Sequence, residues 1–260
     1  MRITPEIDGA SIVLIGSFNP PIFQPEWFAR HEILGTEDAN AANIEIIHPQ
    51  MAAFSLSWSS IRVTVERFFI ETSYPPFIRA RDLVLRTFRE YLTHTPVTKI
   101  GINRTVHFNV ASFEERDRIG NLLAPRVPWG DWARDLAGEP GKRETVGGLL
   151  TMTMMQTARK DGHRGTISAR VEPSVFPSLI ERGIFMEIND HYELGDDATI
   201  QGSDAAINIL ESEWERSIER SEWIIEQIMV LRDEKTKWAI LHLCLRRARN
   251  FSVNHIPVAG

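Results

Sequence analysis

An α+β fold is predicted, built on antiparallel sheet with helices on one face. Three observations predict it. Runs with period-two alternation recur along the chain, which marks half-buried strands. Two long amphipathic segments stand between these runs instead of alternating with them one for one. The order strand, helix, three strands, helix also occurs twice, the second time about 90 residues after the first. Two such units on a shared sheet suggest a pseudo-two-fold saddle, an analogy of fold that implies no function.

In the first unit, Ser11 to Phe18 (SIVLIGSF) is an apolar strand stopped by Asn19-Pro20-Pro21. Pro25 opens a helix in PEWFARHEIL, where its missing N–H costs nothing. Ile44 to Ile47 is a short strand. Ala53 to Trp58 turns Phe54, Leu56 and Trp58 inward against Ser55 and Ser57. Ile61 to Phe69 alternates again, with Ile61, Val63 and Val65 opposite Arg62, Thr64 and Glu66; Ser59-Ser60 joins the two runs as a hairpin. Pro75-Pro76 then introduces FIRARDLVLRTFREYL, whose Phe77, Ala80, Val84, Phe88 and Tyr91 form a helical stripe.

The second unit begins with KIGINRTVHFNV. Ile100, Ile102, Val106, Phe108 and Val110 share one side; Lys99, Asn103, Thr105, His107 and Asn109 share the other. A helix follows at Glu114 to Leu123, then a Pro/Trp/Gly connection and a short helix at Asp131 to Ala137. Strands are expected at Val146 to Thr157, Gly165 to Glu172 and Gly183 to His191, with Asp161-Gly162 turning between the first two. Ser203 to Leu231 is the strongest helix, with Ile207, Leu210, Trp214, Ile218, Ile225 and Ile228 inward and Ser203-Asp204 at its N-cap. Residues 235–249 suit one more helix. The domain reading is a unit over 1–95, a second over 96–232 packed on it, and a helix and tail over 233–260.

PPFIRARDLVLRTFREYL followed by VTKIGINRTVHFNV, and GIFMEINDHYEL followed by INILESEWERSIERSEWIIEQI, resemble a sporadically distributed family of uncharacterised bacterial proteins of about this length. These stretches span about half of the chain. The resemblance implies a bacterial protein and carries over no catalytic residue.

Composition narrows the function classes. A formal charge of −6 gives no general field for nucleic acid, although a local basic patch is compatible with it. The one cysteine, Cys244, excludes an intramolecular disulfide and any multi-cysteine metal site, and its run WAILHLCL suits a core position. No secretory pattern and no membrane-spanning apolar run occur, so a cytoplasmic location is expected and the sequons at Asn103 and Asn250 carry no weight. Phosphate-loop, dinucleotide, nucleophile-elbow and zincin motifs are missing. The expectation is therefore a non-enzymatic binding or scaffold protein with no cofactor and no metal, acting by contact with another protein or by self-association. The alternative is a nucleic-acid-binding or processing module.

Two groups of residues are candidates for such contacts. The outward side of the strands offers a polar surface that includes Arg62, Glu66, Asn103, Thr105, His107 and Arg170; a merely wet sheet face has the same composition. Arg79, Arg86 and Arg89 make one helix basic, while the glutamates of the long helix make another acidic, a contrast suited to head-to-tail association. Trp129, Trp132 and Trp223 fall outside the apolar stripes and are interface candidates, whereas Trp58 and Trp214 belong to the core. His107, His163 and His191 would need to converge to bind zinc, and no short spacing links them. Arg104 stands on the apolar side of its strand, so it is expected to be partly buried and bound to a carboxylate or to carbonyls at a helix end, with a structural role.

Overall fold

The computed structural model describes residues 4–137, 147–195 and 201–232. The tail, with Cys244, Trp238, Asn250 and the expected helix over 235–249, lies outside the described residues.

The fold is α+β. In chain order the described elements are β1 (Ile7–Gly16), α1 (Pro25–Arg30), α2 (Thr36–Asn40), β2 (Asn43–His48), β3 (Met51–Ser55), β4 (Ser60–Thr64), β5 (Arg67–Thr72) and α3 (Ile78–Arg86). They continue with β6 (Val97–Asn109), α4 (Phe113–Leu123), α5 (Trp132–Ala137), β7 (Met152–Gln156), β8 (Gly165–Pro173), β9 (Gly183–Glu193) and α6 (Asp204–Met229). All nine strands form one sheet in the order β2-β3-β4-β5-β1-β6-β9-β8-β7. Outward from the β1–β6 seam, each side runs from its unit's last strand back toward its first. The seam crosses the boundary between residues 95 and 96, so the two units share one hydrogen-bonded sheet.

Helices α3 and α6 pack side by side on one face, α3 over β1 and β5, α6 over β6 and β9. The core face follows the register. Phe54, Ile61, Ile70, Ile12 and Ile102 are cross-strand neighbours in one row, all at most 1 % exposed. Under α3 the filling is aromatic: Phe68 and Phe88 meet edge to face at 5.2 Å, and Phe18 and Phe23 surround them. Each such ring contributes about 1.5–3 kcal/mol by leaving water.

Several elements depart from the alternation. The run Ile61 to Phe69 is two strands, because Val65-Glu66 turns between β4 and β5 and leaves Val65 exposed. The first unit therefore has four strands after its helices, where the pattern had suggested three. The expected strand from Val146 shortens to β7, and the turn at Gly162 has the left-handed φ of 83° that favours glycine. Ser203 precedes α6 without capping it; its hydroxyl donates instead to the carbonyl of Phe88 (2.9 Å), tying the start of α6 to the end of the α3 region.

Candidate interaction surfaces

The open face of the sheet carries a continuous polar row. Register aligns Asn43, Ser55, Ser60, Glu71, Ser11, Asn103, Asn189, Ser168 and Met155 across all nine strands. Ile102, Val106 and Phe108 are buried under the helices, which fixes the assignment of faces. Asn103 was expected to be accessible and is not: it is 4 % exposed. Its amide lies over the bare Cα of Gly101 and donates to Ser11 (3.1 Å), so a small neighbour lets it fold down onto the sheet. Thr105 is half-buried. His107 is half-buried too, with Nδ1 2.8 Å from the Ser174 hydroxyl and its ring between Phe176 and Phe185.

Part of the charge on this face is paired within it. Arg170 holds Glu187 at 2.8 Å and Glu172 at 3.0 Å. Arg62 is exposed, and Glu66 is exposed in the β4–β5 turn. The three candidate histidines do not converge: along the β6–β9 register, His107 and the partner of His191 are six residues apart, roughly 20 Å. His163 lies near Tyr192, on the helix side. Among the described residues no group of His, Cys, Asp or Glu could hold a metal ion.

The basic and acidic helices meet within the molecule. Arg89 grips Glu211 with two hydrogen bonds of 2.9 and 2.8 Å, and Arg81 lies 3.7 Å from Glu215. Arg79 stacks on Trp58 at 4.2 Å and Arg86 donates to the carbonyl of Glu32 at 2.7 Å. The charge contrast therefore holds α3 against α6, and head-to-tail association is not needed to satisfy it.

A charged cluster unforeseen in the sequence lies under α6. Asp190 continues the isoleucine row, beside Ile102 and Ile167, yet its side chain is only 1 % exposed. Arg159, from the β7–β8 connection, reaches it at 2.6 Å, and Arg220 of α6 binds its other oxygen. Ser217 donates to it at 2.8 Å and Tyr192 at 3.2 Å. Asp161 closes the ring, held by Arg159 at 2.6 Å and Arg220 at 3.0 Å. Arg159 also lies over the Tyr192 ring at 4.0 Å. Burial alone would lower the Arg159 pKa, but the hydrogen bonds to Asp161 and Asp190 outweigh it and raise it. Every charge here faces an opposite one, so the cluster clamps the β7–β8 connection to α6 and presents no free reactive group.

The clamp predicts an acid response. The hydrogen bond from Arg159, against burial, lowers Asp161 from 3.8 to about 2. A depressed carboxyl contributes fully above its unfolded pKa and loses that contribution as pH falls toward the folded value. Urea midpoints should therefore drop between about pH 4 and pH 2 more steeply in the native chain than in Asp161→Asn; equal slopes would refute the linkage. His107 and His191 are both lowered by burial, which adds a separate loss of stability on acidification below 6.5.

The second unit exposes a large apolar surface. Trp129, Trp132 and Trp223 are 58 %, 54 % and 61 % exposed, and Trp129 packs edge-on to Trp132 at 5.4 Å. Met154 and Met155 project from β7, which ends the sheet. Between β7, β8, α4 and α6 runs a groove of about 230 Å³ with a wholly apolar wall. Leu123, Met152, Met154, Ala169, Val171, Trp223, Ile224, Ile228 and the stem of Gln227 line it. A monomer's scattered apolar residues need no explanation, but a contiguous patch beside a strand that ends the sheet among the described residues does.

No family model matches the chain, and no curated protein matches it. No helix among the described residues is long and apolar enough to cross a membrane.

Proposed function

We propose that the protein is a non-enzymatic binding module that engages another protein through the apolar surface of its second unit. The observation that carries this reading is the groove beside β7. An open edge offers unpaired backbone groups to an incoming extended segment, and the adjoining groove takes that segment's alternate side chains. Trp223 and Met154 frame the groove as large, preformed contact area, the usual composition of binding hot spots. Trp129 and Trp132 are a second exposed aromatic pair in the same unit. The resemblance to a bacterial family supports a bacterial setting, and the cysteine usage supports the cytoplasm. The nucleic-acid alternative draws less support, because Arg170 is neutralised by two glutamates and Arg62 is left as the exposed cation of the candidate set.

Photoreactive residues at Met154 and Trp223 should trap a discrete protein in the native cell, while the same residues at Arg62 and Thr105 should not. Nucleic acid trapped at Arg62 would transfer the function to the sheet face; nothing trapped at the groove would end the present reading. With the trapped protein purified, Trp223→Ala combined with Met154→Ala should weaken binding by about ten- to a hundred-fold. Both side chains are largely exposed, so stability should change by no more than roughly 0.5 kcal/mol for each.

A further inference from the structure

A second cavity, of about 360 Å³, lies between α4, the end of β8, the start of β9 and residues 147–150. It adjoins the groove, and Leu123 and Val171 border both. We propose that this cavity binds a small monocarboxylic acid with an apolar body, and that Arg116 receives the carboxylate. The site is separate from the protein-docking surface and does not depend on it.

Helical spacing builds one wall. Phe113, Arg116, Gly120 and Leu123 recur at intervals of three and four, so a single face of α4 borders the cavity. Ser112 fixes the start of that helix by accepting from the Glu115 amide at 3.2 Å. Ile119, Val171 and Ile184, each at most 4 % exposed, give the cavity apolar lining. The segment 147–150 is tied to α4 and its continuation by Arg126, which donates to the Gly147 carbonyl at 2.5 Å and binds Asp117. Cavities of about 300–1,000 Å³ hold small ligands, and this one is near the lower bound.

Charge singles out Arg116. Every other buried or half-buried arginine among the described residues has a carboxylate within 4.0 Å, and Arg116 meets none among them. Its Nη1 donates to the Ile180 carbonyl at 2.8 Å, and its guanidinium lies over the Phe113 ring at 4.8 Å. These contacts set the plane of the group and leave Nε and Nη2, two parallel donors that one carboxylate can take side by side. Burial lowers the Arg116 pKa although Asp117 and Glu181 oppose it, as for a cation short of negative charge. The two carboxylates that border the cavity are already matched, Asp117 by Arg126 and Glu172 by Arg170 at 3.0 Å. An anionic head with an apolar body therefore fits, and an ammonium head does not.

Calorimetric titration of the full-length chain with octanoate, 3-phenylpropanoate, octan-1-ol and octylamine is the test. At least one of the two acids should bind, one molecule per chain. Octan-1-ol should bind about ten-fold or more weakly than that acid, and octylamine should not bind. Arg116→Gln should weaken the acid by about ten- to a hundred-fold and leave octan-1-ol unchanged, and Arg116→Lys should recover part of the loss. Leu150→Glu puts a carboxylate at a wall residue that is 79 % exposed, so it should weaken the acid while circular dichroism stays native. Arg164→Gln, at an exposed arginine of the β7–β8 connection, should change nothing. No binding of either acid, or octan-1-ol binding as tightly as the acids, would overturn the proposal. So would acid binding that survives Arg116→Gln or, should that variant not fold, that survives Leu150→Glu. None of these readouts involves a protein partner, so the proposed function stands or falls separately.

Discussion

Asp190→Ala should lower the unfolding free energy by about 3–5 kcal/mol. The attraction between Asp190 and its arginines is not itself worth that much, because moving charges out of water offsets most of it. The loss arises from what remains. Arg159, with its side chain 1 % exposed, would retain Asp161 but face an empty site where Asp190 stood. Ser217 and Tyr192 would lose their shared acceptor in the same buried volume. Urea unfolding at constant slope is the measurement. Asp190→Leu combined with Arg159→Met should recover part of the loss, since apolar replacement of both members fills the space without orphaning a charge. A midpoint unchanged by Asp190→Ala would show that the clamp is not closed as described.

Arg104→Ala should destabilise by about 2–3 kcal/mol, through the lost charged hydrogen bond and ring contact. Arg104 is 3 % exposed, lies 2.6 Å from Asp8 across the seam, donates to the Gly9 carbonyl at 3.0 Å and covers the Phe77 ring at 4.6 Å. The effect is smaller than at Asp190 because the Asp8 side chain is 37 % exposed, so water partly solvates the carboxylate left behind. Arg104→Met keeps the volume beside Val106 and Phe108 and should cost less than alanine. Neither variant should alter binding at the groove. An unchanged melt in Arg104→Ala would contradict the assignment.

Arg104 shows how far alternation can be trusted. Its parity placed it on the core side, and the carboxylate expected there is present as Asp8, but the carbonyl it meets belongs to Gly9 of β1 and not to a helix end, and the residue is fully buried, not partly. Asp190 has the same signature in GIFMEINDHYEL, sharing parity with Ile184, Met186, Ile188 and Tyr192, so its burial was legible. Its partners were not, because Arg159 and Arg220 come from a connection and a helix 31 and 30 residues away in opposite directions. Parity also hid a turn. Val65 prolongs the alternation of β4 although Val65-Glu66 reverses the chain, and the buried positions switch from odd numbers to even ones at Phe68 and Ile70. No Gly, Asn or Pro marks that reversal. Helices α3 and α6 were readable one by one, but their ion pairs depend on lying side by side, which only the sheet order decides. The same holds for the groove: its walls come from four elements, and from the sequence Trp223 is simply a residue off the stripe.

The sheet has two unlike ends. At one, β2 leaves Ile44 46 % and Ile46 41 % exposed; at the other, β7 leaves Met154 and Met155 exposed. Pairing of β7 in one copy with β2 in the next would be heterologous, and a repeated heterologous contact that does not close grows into a filament. Pairing of like ends, β2 with β2, stops at two copies by symmetry. A molecule bound against β7 would therefore set an upper limit on assembly through the sheet edges: with that end covered, the remaining edge can make a pair and nothing longer.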